Sequence, residues 1–270
     1  MSGERFAIDV AGHRLDCASW GPGAAEAPAI LMLHEGLGAV DLWRDFPERL
    51  AAKTGWRVVA YSREGYGRSS PAALPHPVDY MTRHATGVLP EVLDAIGFRR
   101  GALLGHSDGA TIAAEYAGGV EDARVRGLIL MAPHFFTEPD GLAEIARAKA
   151  GFESSGLGVR MAKYHDDPEA TFYGWADAWT DPAFADWDIT ECIDYIRIPT
   201  LAIQGREDQY GSEAQVRAIE ERSYAPVDLE LIEDCRHSPH LEQPDRTLAL
   251  IADFIERLER IEHEPTGLHK

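Results

Sequence analysis

Residues 103–111 read LLGHSDGAT. An apolar run, GALLG (101–105), leads into this stretch, and DGATIAAEYAGG (108–119), with helical spacing, leads away from it. Gly105-His106-Ser107-Asp108-Gly109 fits G-x-S-x-G in the strand–turn–helix context that a nucleophile elbow requires. The glycines let backbones pass closely. The turn pushes the Ser107 hydroxyl out of the sheet, and the new helix aims its N-terminal amides and positive dipole end at the same spot. A serine that merely caps the helix would also sit here. The strand before it and the helix after it favour the nucleophile.

Further short apolar runs flank this one: AILML (29–33), RVVAY (57–61), GLILM (127–131), PTLAIQ (199–204) and VDLELI (227–232). Most are apolar throughout, as strands are when both faces of a sheet are covered. Helical spacing lies between them, in WRDFPERLAAKTG and in TLALIADFIERLERI. The alternation predicts an α/β fold with a mostly parallel sheet between helices. The opening FAIDVAGHRLDCASW alternates around Gly12-His13 and predicts an antiparallel hairpin at the sheet edge. The rhythm breaks over 134–195, which is helical in pattern and rich in aromatics, Trp175 and Trp179 among them. A structureless loop of that length is improbable, so a helical cap is expected there. The core domain is then 1–133 and 196–270. The last residues, EHEPTGLHK, are expected to be a solvated tail.

A serine nucleophile needs a base, and the base an orienting acid. In elbow enzymes these follow the serine in the order acid, histidine. QGREDQYG offers Glu207 and Asp208, and DCRHSPHLEQP offers His237 and His240. With these motifs the chain resembles the α/β-hydrolase superfamily over nearly its whole length. The resemblance implies a sheet of about eight strands with an inserted helical cap. It makes Asp208, in the G-x-x-D pattern, the acid and Glu207 a surface charge. It makes His237 the base and gives His240 a structural hydrogen bond. Arg236 stands where the family usually has glycine.

The turn HEGLG (34–38) follows the AILML strand. The resemblance implies an oxyanion hole built from the backbone N–H groups of Gly36 and Asp108, with Glu35 in place of a glycine. Glu35 is expected to turn back and accept hydrogen bonds from loop amides. Glu35, His134, Trp175 and Trp179 are candidate pocket residues. A phosphate-binding reading fails, because no G-x-x-x-x-G-K-[ST] is present and no Lys lies near the turn. Gly65-Tyr66-Gly67 in REGYGRSS is expected to be structural.

The net charge of −19 excludes nucleic acid and anionic membrane surfaces as expected partners. Cys17, Cys192 and Cys235 have no metal-ligand spacing, and no metal or cofactor is expected. Free thiols and the lack of a signal-like or membrane-spanning run point to a cytoplasmic protein. The expected activity is hydrolysis of a small or medium carboxylic ester or lactone with an apolar acyl or aryl part, by a monomer or homodimer. The alternatives are C–C hydrolysis of ring-cleavage products, an aminopeptidase-type amide hydrolase, and a non-catalytic receptor. Ser107 argues against dehalogenases and epoxide hydrolases, which resemble this fold but use Asp as nucleophile.

Overall fold

The strands of the computed structural model are β1 (Glu4–Val10), β2 (His13–Trp20), β3 (Ala29–Leu33), β4 (Arg57–Tyr61), β5 (Gly101–His106), β6 (Val125–Met131), β7 (Thr200–Gly205) and β8 (Val227–Ile232). Residues 3–23 and 28–263 are described. The strands form one sheet in the order β1-β2-β4-β3-β5-β6-β7-β8. β2 runs antiparallel to β1 and β4, and the other pairs are parallel. Every residue of β3, β4, β5 and β7 is buried, which explains their unbroken apolar runs. One face is covered by the helices Phe46–Thr54 and Pro244–His263, whose stripe of Leu248, Ile251, Phe254, Ile255 and Leu258 meets Met32 and Ile129. The other face packs Leu89, Val92, Ile112, Tyr116, Val216 and Ile219. The end of the expected C-terminal tail, 264–270, lies outside the described residues.

Two connections shape the site. Between β4 and β5 the chain forms the helix Tyr80–Arg83, a π-helical turn His84–Val88 and the helix Leu89–Ala95, none singled out by the sequence pattern. Between β6 and β7 lie the helices Pro139–Gly151, Leu157–Met161 and Pro168–Trp179, then 3₁₀ turns at Pro182–Phe184 and Thr190–Tyr195. This insertion is tied to the turns after β3 and β4. Gly67 N–H donates to His165 Nδ1 (3.0 Å), His165 Nε2 donates to the Leu37 carbonyl (3.0 Å), and Thr171 Oγ1 donates to the Gly65 carbonyl (2.7 Å). The Gly65-Tyr66-Gly67 turn thus serves as an anchor for the insertion. No described helix is long and apolar enough to cross a membrane.

The helix Asp108–Gly119 carries a buried Glu115. Thr82 Oγ1 donates to one of its oxygens, and the other has no partner among the described residues. Burial pushes its carboxyl up to about 7. A raised carboxyl pKa adds no cost below about 4.5, where both folded and unfolded chains are protonated. It costs progressively more stability as pH rises, up to roughly 3 kcal/mol above pH 7. Glu115→Gln should therefore raise the melting temperature at pH 8 and leave it unchanged near pH 4.5. A difference that does not vary with pH would reject this account.

Candidate active site

The site assembles where β3, β5, β7 and β8 end, at their carboxyl edge. Ser107 follows β5 with φ 53° and ψ −121°, a conformation that costs a non-glycine residue about 1–3 kcal/mol. Hydrogen bonds hold it there. Its N–H donates to the Met131 carbonyl (2.9 Å), and its carbonyl accepts from Ala110 and Thr111 (2.8 and 3.0 Å). The flanking glycines are steric necessities. A Cβ at Gly105 would lie 2.3 Å from the Gly109 carbonyl oxygen, and one at Gly109 would lie 2.1 Å from the Leu33 carbonyl oxygen. The elbow is thereby pressed against the end of β3.

Asp208 and His237 meet as the motifs imply. His237 Nδ1 lies 2.9 and 2.8 Å from the two Asp208 oxygens. The Asp208 side chain is 1% exposed and also accepts from Tyr210 N–H (2.8 Å) and Gln204 Nε2 (2.7 Å). Burial alone would raise its pKa, but His237 and the Tyr210 N–H outweigh burial and hold the carboxyl below its usual value. An ionised Asp208 only accepts, so Nδ1 carries the proton and Nε2 is left as the basic nitrogen. Glu207 is exposed. Glu242 clamps the loop on both sides of His237, accepting from Arg236 N–H (2.9 Å) and Ser238 N–H (3.0 Å). His240 departs from expectation. Its ring packs against Trp43 (4.7 Å between centroids), His106 (4.9 Å) and Phe46 (5.6 Å), and its Nδ1 has no hydrogen-bond partner among the described residues. Burial in this aromatic nest holds its pKa well below the usual histidine value, so it serves as a neutral packing group.

Gly36 and Asp108 line the same pocket as Ser107 and His237. Asp108 opens its helix, so its N–H has no carbonyl one turn back to bond. The turn bearing Gly36 is pinned by Arg63, which is buried and donates to the carbonyls of His34 (2.6 Å) and Glu35 (3.1 Å). The Asp108 carboxylate turns into the protein. It accepts from Tyr80 Oη (2.5 Å), which in turn accepts from Trp179 Nε1 (3.0 Å), and Arg63 Nη2 lies 3.9 Å away. Burial raises its pKa, against the pull of Arg63. Arg63 and Tyr80 were not recognised in the sequence. Arg63 stands beside the Gly65-Tyr66-Gly67 turn, and that position was its only signal.

Glu35 folds back, but not onto loop amides. Gly38 N–H donates to the Glu35 main-chain carbonyl (3.1 Å), and no loop amide among the described residues donates to its carboxylate. The carboxylate instead faces His106 Nδ1 at 3.6 Å, beyond hydrogen-bond length. Burial acts to raise its pKa, but the neighbouring His106 outweighs burial and holds the carboxyl below the usual range. His134 sits between His237 (5.7 Å) and Trp179 (5.2 Å), and burial brings it down to about 4, so it is neutral at pH 7. Trp175 lies over Gly36, where a Cβ would meet its Nε1 at 2.2 Å. The pocket holds about 190 Å³, and its described lining includes Leu37, Phe136, Leu142 and Ile145 but no Lys or Arg.

Trp179 packs on Phe184 (4.7 Å) and Trp187 (5.8 Å) as well as facing the pocket. Trp179→Ala should therefore cost about 3–5 kcal/mol of stability and also alter the relative rates on an ester series. A lowered melting temperature with unchanged relative rates would leave it as packing alone.

Residues 30–250 match the alpha/beta hydrolase family, and the chain belongs to it. A bifunctional esterase/perhydrolase of Acinetobacter calcoaceticus is 28% identical over 221 residues, 70% of this chain and 77% of the relative. A non-heme chloroperoxidase of Burkholderia pyrrocinia is 27% identical over 223 residues, again 70% and 77%. Among solved structures, an esterase from Exiguobacterium antarcticum superposes with a TM-score of 0.73 at 20% identity, over 95% of this chain and 100% of that one. An enol-lactonase from Burkholderia xenovorans does so with a TM-score of 0.72 at 19% identity, over 93% and 99%.

Proposed function

We propose that the protein is a serine hydrolase that cleaves a small or medium carboxylic ester or lactone through an acyl-enzyme. The observation that carries this reading is the convergence on one pocket of a strained Ser107 and a His237 oriented by Asp208. His237 Nε2 takes the proton of Ser107 as its oxygen attacks the carbonyl carbon. The carbonyl oxygen becomes an anion facing the N–H groups of Gly36 and Asp108. Collapse breaks the ester bond, and the leaving alkoxide takes the proton from His237. Water then attacks the acyl-enzyme by the same route and frees the acid. The esterase activity in the name of the Acinetobacter relative supports this chemistry. The described pocket lining offers no Lys or Arg to receive a carboxylate, which favours a neutral acyl group over the anionic acids of C–C hydrolysis. In this reading 134–195 is a cap that shapes the acyl pocket, and 1–133 with 196–270 is the catalytic core. A fluorophosphonate probe should label Ser107 in the wild type and not in Ser107→Ala, and an ester and lactone panel should show turnover. No labelling and no turnover of any panel member would reject the proposal.

A further inference from the structure

Two features of the site have no part in the mechanism above: the acid in the turn after β3 and the histidine that precedes the nucleophile. His106 is buried in the elbow itself, at the last position of β5. Its Nε2 lies 2.7 Å from the main-chain carbonyl of His237. A carbonyl only accepts, so Nε2 carries a proton and donates. The elbow is thereby joined directly to the backbone of the loop that bears the base, across 131 residues of sequence.

The opposite nitrogen, Nδ1, is buried without a hydrogen bond among the described residues and faces Glu35 Oε2 at 3.6 Å. The turn makes room for that carboxylate, since a Cβ at Gly38 would sit 2.4 Å from the same Oε2. Nδ1 is thus the side of the ring that faces the acid, opposite the nitrogen that holds the His237 carbonyl. The other groups around the pair leave that carboxylate to His106. His240 and His34 are kept neutral, each first by burial, and Arg63 meets Glu35 at its carbonyl rather than its carboxylate. The His237 ring lies 5.1 Å from that of His106 and has Asp208 as its own partner.

We propose that Glu35 and His106 form a positioning pair: the carboxylate holds the His106 ring, and the ring holds the His237 carbonyl so that Nε2 of the base faces Ser107. This inference rests on the serine-hydrolase reading and assigns to that site two residues that take no part in its bond-making steps. The pair ties three strand ends, those of β3, β5 and β8, into one unit. It accounts for an acid beside the oxyanion turn without placing its charge against the developing oxyanion.

The test uses the rate at which a fluorophosphonate labels Ser107, which needs no knowledge of the natural substrate. Glu35→Ala and His106→Ala should each slow labelling on the order of 10- to 100-fold, the cost of a misplaced reacting group. The double variant should be no slower than the worse single one. His106→Gln can still donate from Nε2 to the His237 carbonyl and should recover most of the rate; it also serves if His106→Ala fails to fold. In the wild type, ¹⁵N NMR should show His106 Nε2 protonated and hydrogen-bonded, and the ring signals of His106 and His237 should both shift in Glu35→Ala. Additive losses, normal labelling in Glu35→Ala, or ring signals of His106 and His237 unchanged in Glu35→Ala would overturn the proposal. Absence of labelling in the wild type would instead overturn the hydrolase reading, and the NMR measurement would still decide the pair.

Discussion

Ser107→Ala should lower kcat by about 10⁴- to 10⁶-fold and leave the fold intact. The hydroxyl is not part of what holds the elbow, since the hydrogen bonds there use the Ser107 main chain. His237→Ala and Asp208→Asn should be nearly as damaging, the latter by about 10⁴-fold. An amide at Asp208 changes the proton pattern that His237 Nδ1 meets, and it also places N–H groups opposite those of Gln204 and Tyr210. In the proposed mechanism the three side chains act in one proton transfer, so the triple variant should be little worse than Ser107→Ala alone. Losses that multiply across the variants would show that the three do not act as a unit. Loss of activity in Glu207→Gln with Asp208→Asn near normal would move the acid to the neighbouring residue.

With Gly36 as the proposed oxyanion donor, Gly36→Ala should reduce kcat by about 10²- to 10³-fold, the worth of one such donor. The added methyl would fall 2.2 Å from Trp175 Nε1, so either the indole or the turn must move. Arg63 pins the turn through two carbonyls, and the indole itself is buried, so neither yields cheaply. The companion variant Trp175→Ala removes the obstacle. The double variant should therefore recover at least tenfold in kcat over Gly36→Ala, measured on a short-chain ester. No recovery would mean that the alanine harms the turn through its own backbone and that Trp175 is only a neighbour.

Much of this architecture was legible because it is written locally. A strand buried on both faces reads as an apolar run, and β3, β4 and β5 were visible for that reason. Ser107, Asp208 and His237 each stand in a short motif at a strand end, so spacing and order sufficed. What stayed hidden depends on contacts across long stretches of chain. Tyr80 sits on a four-residue helix with no motif, and only packing brings it to Asp108. His106 looked like a variable position in G-x-S-x-G because its partner is a main-chain carbonyl, which no side-chain pattern reveals. His240 was assigned a structural hydrogen bond from its place in the family's closing motif. Trp43 and Phe46, from the segment before β4, instead surround its ring.

The lining of the pocket comes from two sources. Ser107, Gly36 and His237 stand on turns at strand ends, whereas Phe136, Leu142, Ile145 and Trp175 all belong to the stretch between β6 and β7. After gene duplication, one copy that rewrote this single contiguous stretch would recast the walls and leave the turns that carry Ser107, Gly36 and His237 in place. Among the ties such a copy would have to keep are His165 to Leu37, beside Gly36, and Trp179 to Tyr80, which holds Asp108.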